Sequence, residues 1–144
     1  MLASTIAIKG FPMLQMEDKA AFVLQCMEDY EVQHLPIIKD DYFIGLVSKS
    51  AVLDIDENES IAILADQFER IAIAGKAHFL TALDLYSKHH LTLLPVLNEQ
   101  QECIGVIPQQ NLNELMAQFL GVAQPGAILV LAVLPYQYSL AEMS

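Results

Sequence analysis

Val32 to Ala51 reads VQHLPIIKDDYFIGLVSKSA, and this stretch decides the fold. Val32 to Ile38 is an extended apolar run that holds Pro36, a residue tolerated in a strand only where its missing backbone donor is not needed for a ladder. Lys39-Asp40-Asp41 is a turn. Tyr42 to Val47 forms a second strand, broken by Gly45, where the absent side chain lets another backbone or a ligand come close. Ser48 can then cap a short helix through Leu53.

The phrase returns later in the chain. A shift of 59 residues places Leu24 on Leu83, Val32 on Leu91, Leu35 on Leu94, Pro36 on Pro95 and Ile37 on Val96. After one inserted residue in the turn, a shift of 60 places Ile44 on Ile104, Gly45 on Gly105, Leu46 on Val106 and Val47 on Ile107. Matched prolines and glycines are stronger evidence than matched apolar residues, because each fixes a backbone geometry. Two copies of one unit are present.

Each copy carries a helix before its strands. Ala20, Val23, Leu24 and Met27 recur at helical spacing between Lys19 and Tyr30, with Cys26 and Phe22 widening the stripe and Asp18 placed to cap. In the second copy Phe79, Leu80, Ala82, Leu83 and Tyr86 form the same face between His78 and His90, and Lys88, His89 and His90 gather at the carbonyl end, where positive charge is favourable. Ahead of the first helix, Ile6 and Ile8 alternate as in a short strand, and Phe11-Pro12 marks an extended turn. Between the copies, DIDENES (54–60) is an acidic linker, followed by a helix-compatible stretch and a strand at Ile71 and Ile73. Gln109 to Leu120 closes the second copy with Leu112, Leu115, Met116 and Phe119 on one face and Gly121 beyond its end.

The totals bound what such a chain does. At 144 residues and 54% apolar, it can bury a substantial core. Eighteen acidic against seven basic residues give a net charge of −11, which opposes the counterion release that drives nucleic-acid binding and disfavours anionic membranes. No apolar run approaches the ~20 residues of a spanning helix, and the N-terminus has no export signal, so a cytoplasmic location is expected. Cys26 and Cys103 sit inside apolar patterns and read as reduced core residues.

After the Gln124-Pro125-Gly126 linker, Ala127 to Leu134 is a strongly apolar strand, and Ser139 with Glu142 has capping-box spacing. The chain thus divides into 1–59, 60–123 and 124–144.

The repeated pattern resembles the CBS motif. An apolar-x-apolar-x-Pro strand, a turn, Gly with two apolar residues and a polar position appear as Val32, His34, Pro36, Gly45, Leu46, Val47 and Ser48, and again as Leu91, Leu93, Pro95, Gly105, Val106, Ile107 and Pro108. The resemblance implies an α/β fold: a tandem pair of βαββα units with pseudo-twofold symmetry, which in this family commonly binds AMP, ADP, ATP or another adenosine derivative between its copies. It also implies a homodimer and a non-enzymatic regulatory role. The tail from Ala127 resembles the opening of an ACT-type domain, as in relatives of the acetoin-utilisation B family. That makes the polypeptide a fragment of a longer chain, or else the tail packs on the pair or swaps between subunits.

The same resemblance points to ligand-binding positions. Family members that bind adenosine phosphates commonly place an Asp three residues beyond a Ser or Thr, to hold both ribose hydroxyls. Here those positions are Ala51 after Ser48, and Asn111 after Pro108. Ala51 cannot make the contact, and Asn111 offers a neutral acceptor. His34 stands where relatives often put a cation facing phosphates; Leu93 takes that place in the second copy. His34, Ser48, Ser50 and Arg70 are expected to form a small anion-binding corner, walled by Val32, Pro36, Leu91 and Pro95. The alternative is a half-buried histidine satisfied by backbone. With so few cations, a triphosphate without metal is disfavoured.

Other chemistries find little support. His89 and His90 are adjacent on a helix and point about 100° apart, so they cannot chelate one ion. The acidic linker lacks the glycine and terminal Glu of a calcium loop. Ser48 near His34 imitates a nucleophile and base without an orienting third group. A structural homodimerisation module with degenerate clefts is the competing function.

Overall fold

In the computed structural model, which describes residues 1–121, the chain runs α1 (Ala3–Ile6), α2 (Ala20–Asp29), β1 (His34–Lys39), β2 (Tyr42–Ser48), α3 (Lys49–Leu53), a 3-10 turn (Ile61–Gln67), β3 (Ile73–Ala74), α4 (Phe79–Lys88), β4 (Leu93–Leu97), β5 (Cys103–Pro108) and α5 (Gln109–Phe119). Two compact units result, Met1–Gln109 and Gln110 onward; the first holds both hairpins, and α5 belongs to the second. The expected strand at Ala127–Leu134, the capping pair Ser139 and Glu142, and the ACT-type resemblance lie outside the described residues.

Asp40 and Asp41 both take positive φ, 51° and 70°, the conformation that a two-residue turn between twisted strands requires. They join β1 to β2 as an antiparallel hairpin, and β4 and β5 pair the same way. Ile37 pairs with Gly45 but Ile38 with Phe43, so Ile44 is an extra, bulged residue. The second hairpin repeats this: Val96 pairs with Gly105 and Leu97 with Cys103, leaving Ile104. A bulge copied at the matched position bends both hairpins alike.

Each hairpin gains a parallel neighbour on the outer edge of its first strand. In the second copy this is β3, with Ile73 opposite Val96. In the first it is the single residue Leu14, opposite Ile37, with its N–H donated to Pro36 O at 2.9 Å and its carbonyl accepting from Ile38 N at 2.9 Å. Pro36 therefore turns its donorless nitrogen toward this one-residue edge and leaves the β2 ladder intact.

The copies are bound by exchange of the segments that precede them. Ile8, ahead of the first copy, exchanges two hydrogen bonds with Val106 of β5, at 2.8 and 3.0 Å. Glu69, ahead of the second copy, exchanges two with Leu46 of β2, at 2.7 and 2.9 Å. Helix starts obey the same rule. Ala20 N donates to Glu59 O, and Phe79 N to Met1 O; Ile61 N donates to Asp18 O, and Ala3 N to Ala77 O. At the hairpin tips the relation closes on itself, with Phe43 N donating to Gln101 O and Cys103 N to Asp41 O.

This exchange explains both conserved-in-copy glycines. A Cβ on Gly45 would sit 2.9 Å from the Cβ of Phe68, and one on Gly105 would sit 2.9 Å from the carbonyl oxygen of Ile8. The close approach expected from the sequence is thus made by the other copy's leader, through the Phe68 Cβ at Gly45 and through backbone at Gly105. Leu35, Ile37, Leu46 and Val47, with Leu94, Val96, Val106 and Ile107, fill the shared core and are essentially inaccessible, each large side chain contributing roughly 1.5–3 kcal/mol.

Several local expectations are corrected. Ile6 belongs to α1 and not to a strand, because Ala3 and Ser4 donate to the carbonyls of Ala77 and Gly75 and start a helical turn there. Asp18 does not cap α2: its carboxylate accepts from Gln15 N, and the carbonyls of Glu57 and Glu59 take up the N–H groups of Ala21 and Ala20. Phe22 is exposed. The stretch after the linker is a 3-10 turn capped by Ser60, and the strand that follows is Ile73–Ala74. Val32 precedes β1, its N–H donated to Met27 O. Ser48 caps α3 as expected, Gly121 lies past α5 with φ 68°, and Lys88 lies in the last turn of α4 beside Asp84 at 3.0 Å. Phe119 is exposed, whereas Leu112 is buried. Both cysteines are free, and burial raises both thiols above their ordinary value.

Candidate functional site

His34 opens β1 and stands opposite Ser48, the last residue of β2. Beside them the two copies meet. The Thr92 hydroxyl, just ahead of β4, accepts from Gln33 N at 2.9 Å and lies 3.0 Å from His34 Nδ1, while Thr92 N–H points to the same Nδ1 at 3.3 Å. A nitrogen that receives a backbone N–H carries no proton, so the Thr92 hydroxyl donates to it as well and the ring holds its proton on Nε2. His34 is 9% exposed. Burial pushes its pKa below the ordinary histidine value, against a smaller opposing pull from the Glu69 carboxylate.

The imidazole is therefore neutral near pH 7. This corrects the cation expected at this position: the residue is satisfied by Thr92, and what it has left to offer is one neutral N–H. Ser48 Oγ accepts from Ala51 N at 3.3 Å and lies 3.1 Å from Ser50 Oγ. It makes no bond to His34, so the nucleophile and base pair does not form. Ser50 is exposed and Ala51 is buried, which leaves a corner of neutral hydroxyl and imidazole donors.

Val32, Pro36, Leu91, Leu93 and Pro95 are all buried and act as core beneath this corner. Asn111 lies in the first turn of α5, exposed, in the unit that begins at Gln110.

Arg70 is not brought to His34. It lines a cavity of about 260 Å³ with Phe43, Asn98 and Gln101, over a floor of Ala72, Ile73, Ala74 and Leu97. Phe43 and Ser48 face Ile38 and His34, four residues apart on β1, about 13 Å at 3.3 Å per residue, so the two places lie toward opposite ends of the hairpin. Glu69 is the charged residue whose field reaches His34. Sequence reasoning missed Thr92, although it matches Gln33 under the 59-residue shift, and missed the cavity, although Ala72 and Ala74 stand where the first copy has Met13 and Gln15.

Among the described residues no group of three His, Cys, Asp or Glu side chains could hold a metal ion. His78 caps α4, its Nδ1 accepting from Leu80 N, and no described helix is long and apolar enough to cross a membrane.

Comparison with known proteins meets this geometry. The sequence model of the CBS domain matches residues 3–58. A CBS domain pair/ACT domain protein from Thermotoga maritima superposes with a TM-score of 0.74 at 21% identity, over 83% of this chain and 99% of that one. The fold is that of a CBS domain pair. The CBS domains of a transcriptional regulator from Streptococcus pneumoniae share the pair at 13% identity and TM-score 0.69, over 79% of this chain and 98% of theirs. CBSX2, solved in complex with AMP, shares it at 16% identity and TM-score 0.69, over 83% of this chain and 98% of its own. No curated protein matches the sequence.

Proposed function

We propose that this CBS pair is a non-enzymatic regulatory module that senses a small adenosine-containing effector at the corner formed by His34, Ser48 and Ser50. The observation that carries the proposal is the junction of Gln33, His34 and Thr92, where the copies touch beside exposed hydroxyls. A ligand seated there contacts a region in which movement of one copy is felt by the other, and it acts by binding the closed arrangement better than the open one. Support for the ligand class comes from CBSX2, which has this fold and was solved with AMP.

The donors at the corner are neutral, and neutral donors suit a ribose and a base better than a chain of phosphates. Adenosine and AMP are therefore expected to bind better than ADP or ATP. Exposed Phe22 on α2, Leu80 on α4 and Leu53 on α3 support a homodimer, and we place the protein in the cytoplasm. Light scattering at micromolar concentration checks the assembly; a monomer there counts against it.

One feature favours a second reading. Ala51, where relatives hold the ribose with a carboxylate, is buried and has nothing to offer, as in a dimerisation module with degenerate clefts. Thermal melting with adenosine, AMP, ADP, ATP and S-adenosylmethionine separates the two. A native-state binder raises the melting temperature in step with ligand concentration, and Ser50→Ala should reduce that rise while leaving the unliganded melt in place. Flat melts for all five compounds at millimolar concentration would establish the structural reading instead.

A further inference from the structure

We infer that the cavity between the hairpin tips is a second binding site, for a small organic monocarboxylate held by Arg70. The chain contains one arginine, Arg70, and it lines this cavity. Both ion pairs of the described residues are made by lysines, Lys76 with Glu99 and Lys88 with Asp84, and Arg70 enters neither. Its planar fork matches a carboxylate in two parallel hydrogen bonds, which a lysine cannot do.

Phe43, Ile73 and Leu97 line the cavity but are each less than a tenth exposed, so they offer it little apolar surface, and Ala72 and Ala74 keep the space open with small side chains. Asn98 is already committed: its amide nitrogen donates to Glu102 and its amide oxygen accepts from Gln100 N and Glu102 N, so it shapes the wall rigidly. Gln101 stands at φ 68° in the second hairpin turn, its backbone tied to Phe43 N and Asn98 O.

Size and charge narrow the occupant. A volume of about 260 Å³ lies below the ≈ 300–1,000 Å³ of pockets for drug-sized molecules. One guanidinium balances one negative charge, and the nearby turn carries Asp40 and Asp41, so polyphosphates are repelled. An aliphatic acid of five or six carbons fits both limits.

The site is made by divergence between the copies. At the matched places the first copy has Phe11, Met13 and Gln15 in place of Arg70, Ala72 and Ala74, and Phe11 is packed against Tyr30 with ring centroids 5.0 Å apart. Since Phe43 comes from the first copy and the remaining lining from the second, an occupant braces the two tips against each other. This proposal stands apart from the adenosine corner, about 13 Å away along the hairpin.

The test is a titration of the full chain, followed by amide NMR, with 4-methylpentanoate and with its uncharged amide, 4-methylpentanamide. The carboxylate should shift the backbone signals of Ala72 and Ala74 and the side-chain amide of Gln101 saturably, and the amide should bind at least about tenfold more weakly, as loss of a charge-assisted pair implies. Arg70→Gln, an exposed change, should bring the two compounds to equal affinity. Ala72→Met, which restores the first copy's residue, should abolish saturation while the spectrum stays dispersed. Equal affinity of acid and amide for the unmutated chain, absence of saturable shifts at 20 mM acid (roughly the weakest useful range, well above the 1 mM that corresponds to about 4 kcal/mol), or unchanged binding in Ala72→Met would each overturn the assignment. AMP, read at Ser48 and Ser50, serves as the independent control: its binding or failure to bind reports on the other site alone.

Discussion

Gly45 and Gly105 show how much one hydrogen atom in place of a methyl group decides. Each lies under the other copy's leader, and the space for a Cβ is already taken. Gly105→Ala meets the carbonyl oxygen of Ile8, a residue held by paired backbone hydrogen bonds to Val106, and Gly45→Ala meets the Cβ of Phe68, so neither obstacle swings away as a flexible side chain would. Both substitutions should destabilise by about 1–3 kcal/mol in urea unfolding, the usual range for overpacking. An unchanged urea midpoint for either would mean that the leaders do not lie where they are described. His34 gives a second residue-scale prediction. Its folded pKa is depressed, so the unfolded chain takes up a proton first as pH falls through about 6.5, and the stability held by the neutral ring is lost progressively below that value. His34→Gln should flatten this part of the curve, as read from the difference between the two proteins' urea midpoints at pH 7.5 and 5.5. The sequence marked His34 as unusual but could not assign its charge, because the partner that decides it, Thr92, is 58 residues away.

At the scale of elements, the hairpins were legible because proline, the acidic turn and glycine each demand a particular backbone. The bulges at Ile44 and Ile104 were not, since an extra residue in a strand leaves alternation looking merely imperfect. Short leaders were hardest to read. α1 and the 3-10 turn are built on carbonyls donated from distant parts of the chain, and their own residues carry weak preferences. Two caps and locks can be weighed. Ser48→Ala removes the hydroxyl that accepts from Ala51 N and should cost about 1 kcal/mol. Tyr86 donates its phenol to the carbonyl of Ile107 and joins α4 to β5, with burial raising the phenol's pKa well above the ordinary value. Tyr86→Phe should cost about 1–2 kcal/mol, as a buried carbonyl loses a partner. Denaturation midpoints check both, and a neutral result at Tyr86 would show that water replaces the phenol.

For the whole molecule, the two copies are expected to unfold as one. Leu46 and Val106 each hold the other copy's leader by paired hydrogen bonds, so Leu46→Ala and Val106→Ala should move one and the same cooperative transition, seen identically by fluorescence and circular dichroism. Two separate transitions, each sensitive to only one substitution, would contradict the exchange. The duplication itself was plain in the sequence, whereas the crossing of leaders was not, because a matched pattern says that units are alike and nothing about which lends what to the other. The same limit applied to Arg70: its order along the chain suggested the His34 corner, whereas it lines the cavity with Phe43 and Gln101.

Cut within the acidic linker, this polypeptide would yield two incomplete halves, each with a strand edge bare and a lending arm idle. A half-length ancestor obeying the same geometry would have had to meet its twin and trade arms before it could become whole. Within one molecule the same handshake no longer depends on concentration.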